Sequence, residues 1–395
     1  MPSNLIWWRG RSCRLRRRPK VAELAHLFSQ SPEAGRAHFD NRCAKCPGGD
    51  GNGAELGPAI VTRIPLRDGS GAARHGGGLL CGERPGPGSA ARGGEMQQPA
   101  RLVVFLLALT GAASAQMQPV LGENTTKISN HVWAIMGFPN IGIVVGDRAT
   151  LVVDTGLGPR NGATIVRVAS KLSPNTKLFL TTTHFHPEHA GGEPGFPPGT
   201  ILIRNTVQQQ EMVELGAGMM DRFRNMSPLN KELLANVTLR TPDVLFDTEA
   251  KVDLGNVTVR LLWFGAGHTK GDELVFVEPD STLISGDIVQ NKVVPAIPGD
   301  GGSPLSWLAV LDKLAALHVQ HVLPDHSEPG DGGLIAADRA FIGDLRARSL
   351  ALKAQGISAD DAGKQLTAEF KTKYPDWPNL NPLANFVRRV YTGPE

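Results

Sequence analysis

No cysteine follows Cys81 in this 395-residue chain. The four present, Cys13, Cys43, Cys46 and Cys81, all lie near the start. The long remainder therefore holds no disulfide and no thiolate metal ligand. A long apolar run is also missing. The stretch Leu102-Val-Val-Phe-Leu-Leu-Ala-Leu109 is too short for a comfortable transmembrane helix, so no stable membrane span is expected. Nor is there a strong excess of one charge, with 41 Lys and Arg against 38 Asp and Glu. The small positive surplus belongs to residues 1–95, which carry 15 Lys/Arg against 8 Asp/Glu and leave the remainder net acidic. No nucleic-acid-binding surface is expected there.

Residues 1–95 show little periodicity and are rich in Gly and Arg, as in Arg14-Leu-Arg-Arg-Arg18, so most of this leader is expected to be disordered. One island, His38 to Pro58, resembles the haem-attachment region of a small c-type cytochrome through Cys43-Ala-Lys-Cys46. Pro47 stands where that family has the axial His, so the haem iron would lack its proximal ligand. Residues 96–115 have the parts of a secretory signal peptide: Arg101, the apolar core and Ala113-Ser-Ala115 before Gln116. The expectation is translation from Met96, with residues 1–95 a gene-start artefact, and export to the periplasm or medium. The mature domain would then span 116–395.

From about residue 118 short apolar, β-branched segments alternate with amphipathic ones. Strands are predicted at 131–136, 141–146, 149–154, 176–183, 200–204, 244–246, 251–254, 257–264, 273–278, 282–287 and 319–323. Helices are predicted at 161–172, 206–215, 303–317 (Ser303 capping, Pro304 at the first turn), 334–355, 358–374 and 383–390. Met219–Lys231 reads as an irregular insertion. Strands inside and helices outside imply an α/β sandwich.

The most informative segment is Thr182-Thr183-His184-Phe-His186-Pro187-Glu188-His189-Ala-Gly191-Gly192. Three imidazoles and a carboxylate fall within six residues, after a predicted buried strand. Pro187 is read as forbidding a helix through the cluster, and the two glycines allow a sharp turn. Imidazole and carboxylate are the usual ligands of Zn²⁺ and similar ions. If the backbone is extended, His184 and His186 share a face, and Glu188 and His189 serve a second centre. Three further strand ends carry chemistry: Phe264-Gly-Ala-Gly-His268, Leu283-Ile-Ser-Gly-Asp287 and Val322-Leu-Pro-Asp325-His326. Leu151-Val-Val-Asp154 adds another acid.

In this order, these motifs resemble the metallo-β-lactamase superfamily over roughly residues 120–390. The resemblance implies a four-layer αββα sandwich with metals at one edge of the sheets. It implies that His184, His186 and His268 hold one ion, that Glu188, His189 and His326 hold a second, and that Asp287 bridges them. Asp154 would orient ligands without touching a metal. It further implies two Zn²⁺ per chain (iron or manganese being alternatives) and a hydrolase in which a hydroxide shared by the ions attacks a small ester, thioester, lactone or β-lactam. Asp287 and Glu188 would be the catalytic carboxylates. Two positions depart from the family pattern: Glu188 replaces the usual Asp, and Asp325-His326-Ser327 replaces Gly-His-Gly. The bridging Asp287 is more like the glyoxalase II and lactonase branches than true β-lactamases. The partner expected is a small-molecule substrate, and the oligomeric state is left open. The alternatives are a redox-linked relative (an iron sulfur-dioxygenase-like enzyme or a quinoprotein-associated protein) and a non-catalytic metal-binding relative. The loop Gly137–Asn140 and the 219–231 insertion are candidate pocket walls.

Overall fold

The computed structural model describes residues 62–64, 119–299 and 301–393, all within one compact unit, Pro58–Glu395. The cytochrome-like island and the signal-like segment lie outside the described residues. Of the span read as a leader, only β1 (Thr62–Ile64) is described, a strand paired in parallel with Ala250–Val252.

Two seven-stranded sheets make up the interior. One contains β2 (Thr126–Lys127), β3 (Val132–Ile135), β4 (Ile141–Val145), β5 (Thr150–Val153), β6 (Leu178–Thr181), β7 (Ile201–Asn205) and β8 (Val244–Phe246) in that order. The other contains β1, β9 (Glu249–Asp253), β10 (Thr258–Leu262), β11 (Leu274–Val277), β12 (Thr282–Gly286), β13 (His321–Pro324) and β14 (Gly330–Asp331). In the first sheet the meander β2–β5 is antiparallel and β5–β8 are parallel. In the second, β9–β12 run antiparallel and β12–β13 parallel.

Alternation along the strands builds the layers. Val144, Leu151, Val153, Phe179 and Ile203 face Val252, Val259, Leu261, Val275 and Ile284 across the gap between sheets. The intervening residues Ile143, Val152, Leu180 and Leu202 turn outward against Ile165, Val168 and Ala169 of α1 (Pro159–Leu172). The outer face of the second sheet (Leu262, Leu274, Phe276, Leu283, Val322) is covered by Trp307, Val310, Leu311, Phe341, Leu366 and Phe386. These come from four helices near the end of the chain, α6 (Pro304–Ala315), α7 (Gly333–Ala354), α8 (Ala359–Lys373) and α9 (Leu383–Thr392). The architecture is thus a mixed α/β arrangement of helix, sheet, sheet and helix layers.

Two elements differ from the sequence reading. Pro187–Ala190 is a short helix, α2, although Pro187 was read as excluding one. A proline at the first helical position has no N–H that the helix needs, so it opens the turn rather than breaking it. The stretch read as an irregular insertion is helical. After α3 (Thr206–Glu214) come α4 (Gly216–Arg224) and α5 (Pro228–Leu233). Met220, Phe223 and Leu233 bury one side of this pair against Leu157 and Leu234.

Candidate metal centre

Parallel strands bring their carboxyl ends to one edge, and the chemistry-bearing side chains follow those ends. Asp154 follows β5, residues 182–189 follow β6, Asp287 follows β12, and Asp325 and His326 follow β13. Two backbone features hold the sheets in register here. Glu273 N–H donates to Thr183 O at 2.6 Å. Gly286 has φ +55°, and a Cβ there would lie 2.8 Å from Thr183 Cβ, so a side chain would collide as well as strain the backbone. Asp154 itself adopts φ 69°, an uncommon conformation for a residue with a Cβ.

The structure brings the sequence-derived candidates together in two trios. In the first, His184 Nε2 lies 2.9 Å from His186 Nδ1, which lies 3.3 Å from His268 Nε2. In the second, Glu188, His189 and His326 place one donor atom each within 4.8 Å of one another. Asp287 stands between the trios. Its Oδ2 is 3.3 Å from His268 Nε2, and its Oδ1 is 3.3 Å from His326 Nε2.

The hydrogen bonds behind the trios decide which ring nitrogens are free. His268 Nδ1 lies 2.7 Å from Ala296 O, an acceptor only, so it carries the proton and leaves Nε2 a bare lone pair. His189 Nδ1 lies 3.1 Å from Asp154 Oδ2 and 3.3 Å from Asp325 Oδ2, so Nε2 faces the second trio without a partner. Glu188 Oε2 is likewise buried and unpartnered. Lone pairs that converge with no proton to share repel each other unless a cation lies among them. The donor set, imidazole nitrogen plus carboxylate oxygen, suits Zn²⁺, Fe or Mn. These residues therefore fit a metal pair.

The electrostatics of the first trio and of Asp287 agree with that fit, whereas His189 favours its protonated form and offers Nε2 only where a cation takes the proton's place. Burial, then the neighbouring imidazoles, holds His184 and His186 well below the ordinary histidine value, so both are neutral near pH 7. Burial pushes His326 down to about 4. Burial would raise Asp287, but His326 and His268 outweigh it and hold the carboxyl at about 2. Burial raises Glu188 to about 7 against the pull of His189. Burial opposes charge on His189 too, yet Asp154 overrides it and raises the imidazole well above its ordinary value.

Several supporting residues were not read from the sequence. The Asp325 side chain is wholly buried and reaches His189 Nδ1 and, through Thr183 Oγ1 at 3.1 Å, the His184 side of the site. Asp272 accepts from Gly267 N–H at 2.9 Å and Thr269 N–H at 2.9 Å, fixing the turn that presents His268. Glu211 caps the same turn from α3, accepting from Lys270 and Gly271 N–H at 3.0 and 2.8 Å. Gln290 Oε1 accepts from Ser327 Oγ at 2.8 Å beside His326. Of the expected pocket walls, Phe138 packs its ring 4.6 Å from that of His326. Asn140 anchors the same loop to Pro324 O and Ser327 O at 2.8 and 2.9 Å.

The metallo-β-lactamase superfamily profile matches residues 135–326, which include every member of both trios and Asp287. This segment belongs to the metallo-β-lactamase superfamily. A linear primary-alkylsulfatase from Pseudomonas sp. is 23% identical over 287 residues, covering 63% of this chain and 52% of its own length. The chain thus spans about half the length of that curated relative. Among solved structures, the stereoselective inverting sec-alkylsulfatase Pisa1 from Pseudomonas sp. overlays with a TM-score of 0.53 at 16% identity, over 68% of this chain and 49% of its own. A metallo-β-lactamase from Pontibacter korlensis overlays at 20% identity with a TM-score of 0.45, over 56% of this chain and 99% of its own. Within this superfamily domain the two trios and Asp287 form a candidate metal-binding site.

Proposed function

We propose that this chain is a dinuclear-metal hydrolase of small esters. His184, His186 and His268 would hold one ion and Glu188, His189 and His326 the other, with the Asp287 carboxylate available to both. The carrying observation is the convergence of three imidazole nitrogens at 2.9 and 3.3 Å with an ionised carboxylate that reaches both trios. Bound divalent ions supply Lewis acidity and lower the pKa of water toward neutrality.

The side chains define the remaining roles. Asp287 stays ionised throughout the neutral range and adds negative charge between two cations. Asp154 and Asp325 hold the His189 ring so that Nε2 faces inward, and Ala296 O does the same for His268. Glu188 keeps its carboxylate in the second trio despite its extra methylene. Hydrolysis consumes one water per ester and releases an acid and an alcohol.

Sulfate esters are a second reading, motivated by the two alkylsulfatases among the similar proteins. A panel containing a carboxylic ester, a thioester, a lactone, a chromogenic β-lactam and an alkyl sulfate, with and without chelator, tests the assignment. Chelator-sensitive cleavage of at least one is expected. No cleavage of any by protein carrying two ions per chain would refute it.

A further inference from the structure

Beside His186 opens a cavity of about 320 Å³ with Phe185, Leu215, Met219 and Pro298 among its walls. Among the described residues two charged side chains line it, Glu211 and Arg222. They are not equivalent. Both Glu211 oxygens are occupied by the backbone N–H groups of Lys270 and Gly271. Arg222, near the end of α4, is exposed and makes no ion pair or hydrogen bond with any described residue. The next residue, Phe223, places its ring 6.3 Å from that of His186, so the helix that carries the arginine borders the first trio directly.

A second cavity of about 400 Å³ neighbours the first, sharing Arg222, Pro298 and Gly299 as walls. Arg388 and Arg389 also line it. Arg388 is committed to Asp360 at 2.9 Å, whereas Arg389 spends one N–H on Gly302 O and leaves Nε without a partner. A largely apolar chamber thus lies beside both His186 and Arg222, and neither Arg222 nor Arg389 makes an ion pair with a described residue.

We infer that the substrate carries an anionic group remote from its scissile bond, and that Arg222 selects it. The scissile end lies toward His186, an apolar spacer fills the chamber, and a terminal carboxylate pairs with the guanidinium. Arginine suits this role because its planar fork engages a carboxylate through two N–H groups. The catalytic arm of this idea rests on the hydrolase proposal, and the binding arm does not.

The test compares two esters of equal length, p-nitrophenyl hexanoate and mono-p-nitrophenyl adipate, with the metal-loaded full chain. Water adds across the acyl C–O bond of each, giving the acid and p-nitrophenol. The ω-carboxylate ester should be favoured about five- to tenfold in kcat/KM, through KM, as expected of one partly exposed charge-assisted pair. Arg222→Ala should bring that ratio to about one, and Arg222→Lys should restore part of it. Equal rates for the two esters with the wild-type chain would overturn the inference and leave the hydrolase proposal standing. If neither ester is cleaved, binding decides, and the hydrolase proposal is judged on the full substrate panel. Calorimetry with the unreactive pair adipamate and hexanamide should show tighter binding of adipamate by a similar factor, lost in Arg222→Ala. The absence of that preference, or its persistence in the variant, would overturn the inference.

Discussion

Asp154 Oδ2 lies 3.1 Å from His189 Nδ1, with both side chains wholly excluded from solvent. The carboxylate fixes the ring orientation and assigns the proton to Nδ1, so the lone pair on Nε2 faces the second trio. Asp154→Asn removes that charge while preserving shape. It should weaken the second ion by about 10- to 100-fold with the first ion retained, as outer partners of metal ligands usually do. Metal competition with a chelator of graded strength measures this. Equal affinity in the variant would show that Asp325 alone suffices.

Glu188 offers a direct check on the extra methylene. Glu188→Gln replaces an anionic ligand by a neutral one, and metal content should fall from two ions per chain toward one. Glu188→Asp should retain two. A glutamine variant that still holds two ions with full affinity would remove Glu188 from the ligand set.

Asp338 on α7 should shape the pH dependence of stability. Its carboxyl is 2% exposed, accepts Gln290 N–H at 2.7 Å, and is pushed by burial from 3.8 to about 8. In the unfolded chain the group ionises above about 3.8, whereas in the fold it keeps its proton to about 8. Over that window the native state binds more protons, so its contribution to stability falls as pH rises. Asp338→Asn keeps the acceptor and loses the titration. Its urea midpoint should decline less between pH 5 and 8 than that of the parent. Parallel curves would contradict this.

The Arg204–Glu193 ion pair is fully buried and sits just past α2, where Glu193 also accepts Arg240 N–H at 3.0 Å. Arg204→Met strands the Glu193 carboxyl without its main partner. The expected loss is about 3–5 kcal/mol of folding stability. A loss below about 1 kcal/mol in urea denaturation would show that the pair is dispensable.

The parts of the site legible in the sequence were those whose meaning is local. A β-branched run ending in His184-Phe-His186 states both the strand and the convergence point, and Gly-Ala-Gly-His268 and Gly286-Asp287 repeat that grammar. The buried roles of Asp325, Glu211 and Asp272 were not legible, because each depends on what another strand or helix brings against it. Asp325 was read only as a departure flanking His326, yet its carboxylate reaches His189, 136 positions earlier in the chain. Some local signals were present but outweighed. Ser227-Pro228 opens α5 just as Ser303-Pro304 opens α6, yet Met219–Lys231 was read as an irregular insertion. Pro187 was weighed as a breaker when its position made it an initiator.

Metal stoichiometry tests the central claim most directly. Elemental analysis of the parent chain and of His184→Ala, Asp287→Ala and His326→Ala, beside ester hydrolysis, reads both ions at once. Two ions per parent chain are expected, with first-site loss in His184→Ala, second-site loss in His326→Ala, and weakening of both in Asp287→Ala together with loss of hydrolysis. Parent protein that binds no divalent ion tightly, or full hydrolysis after His184→Ala with no metal bound, would contradict the account.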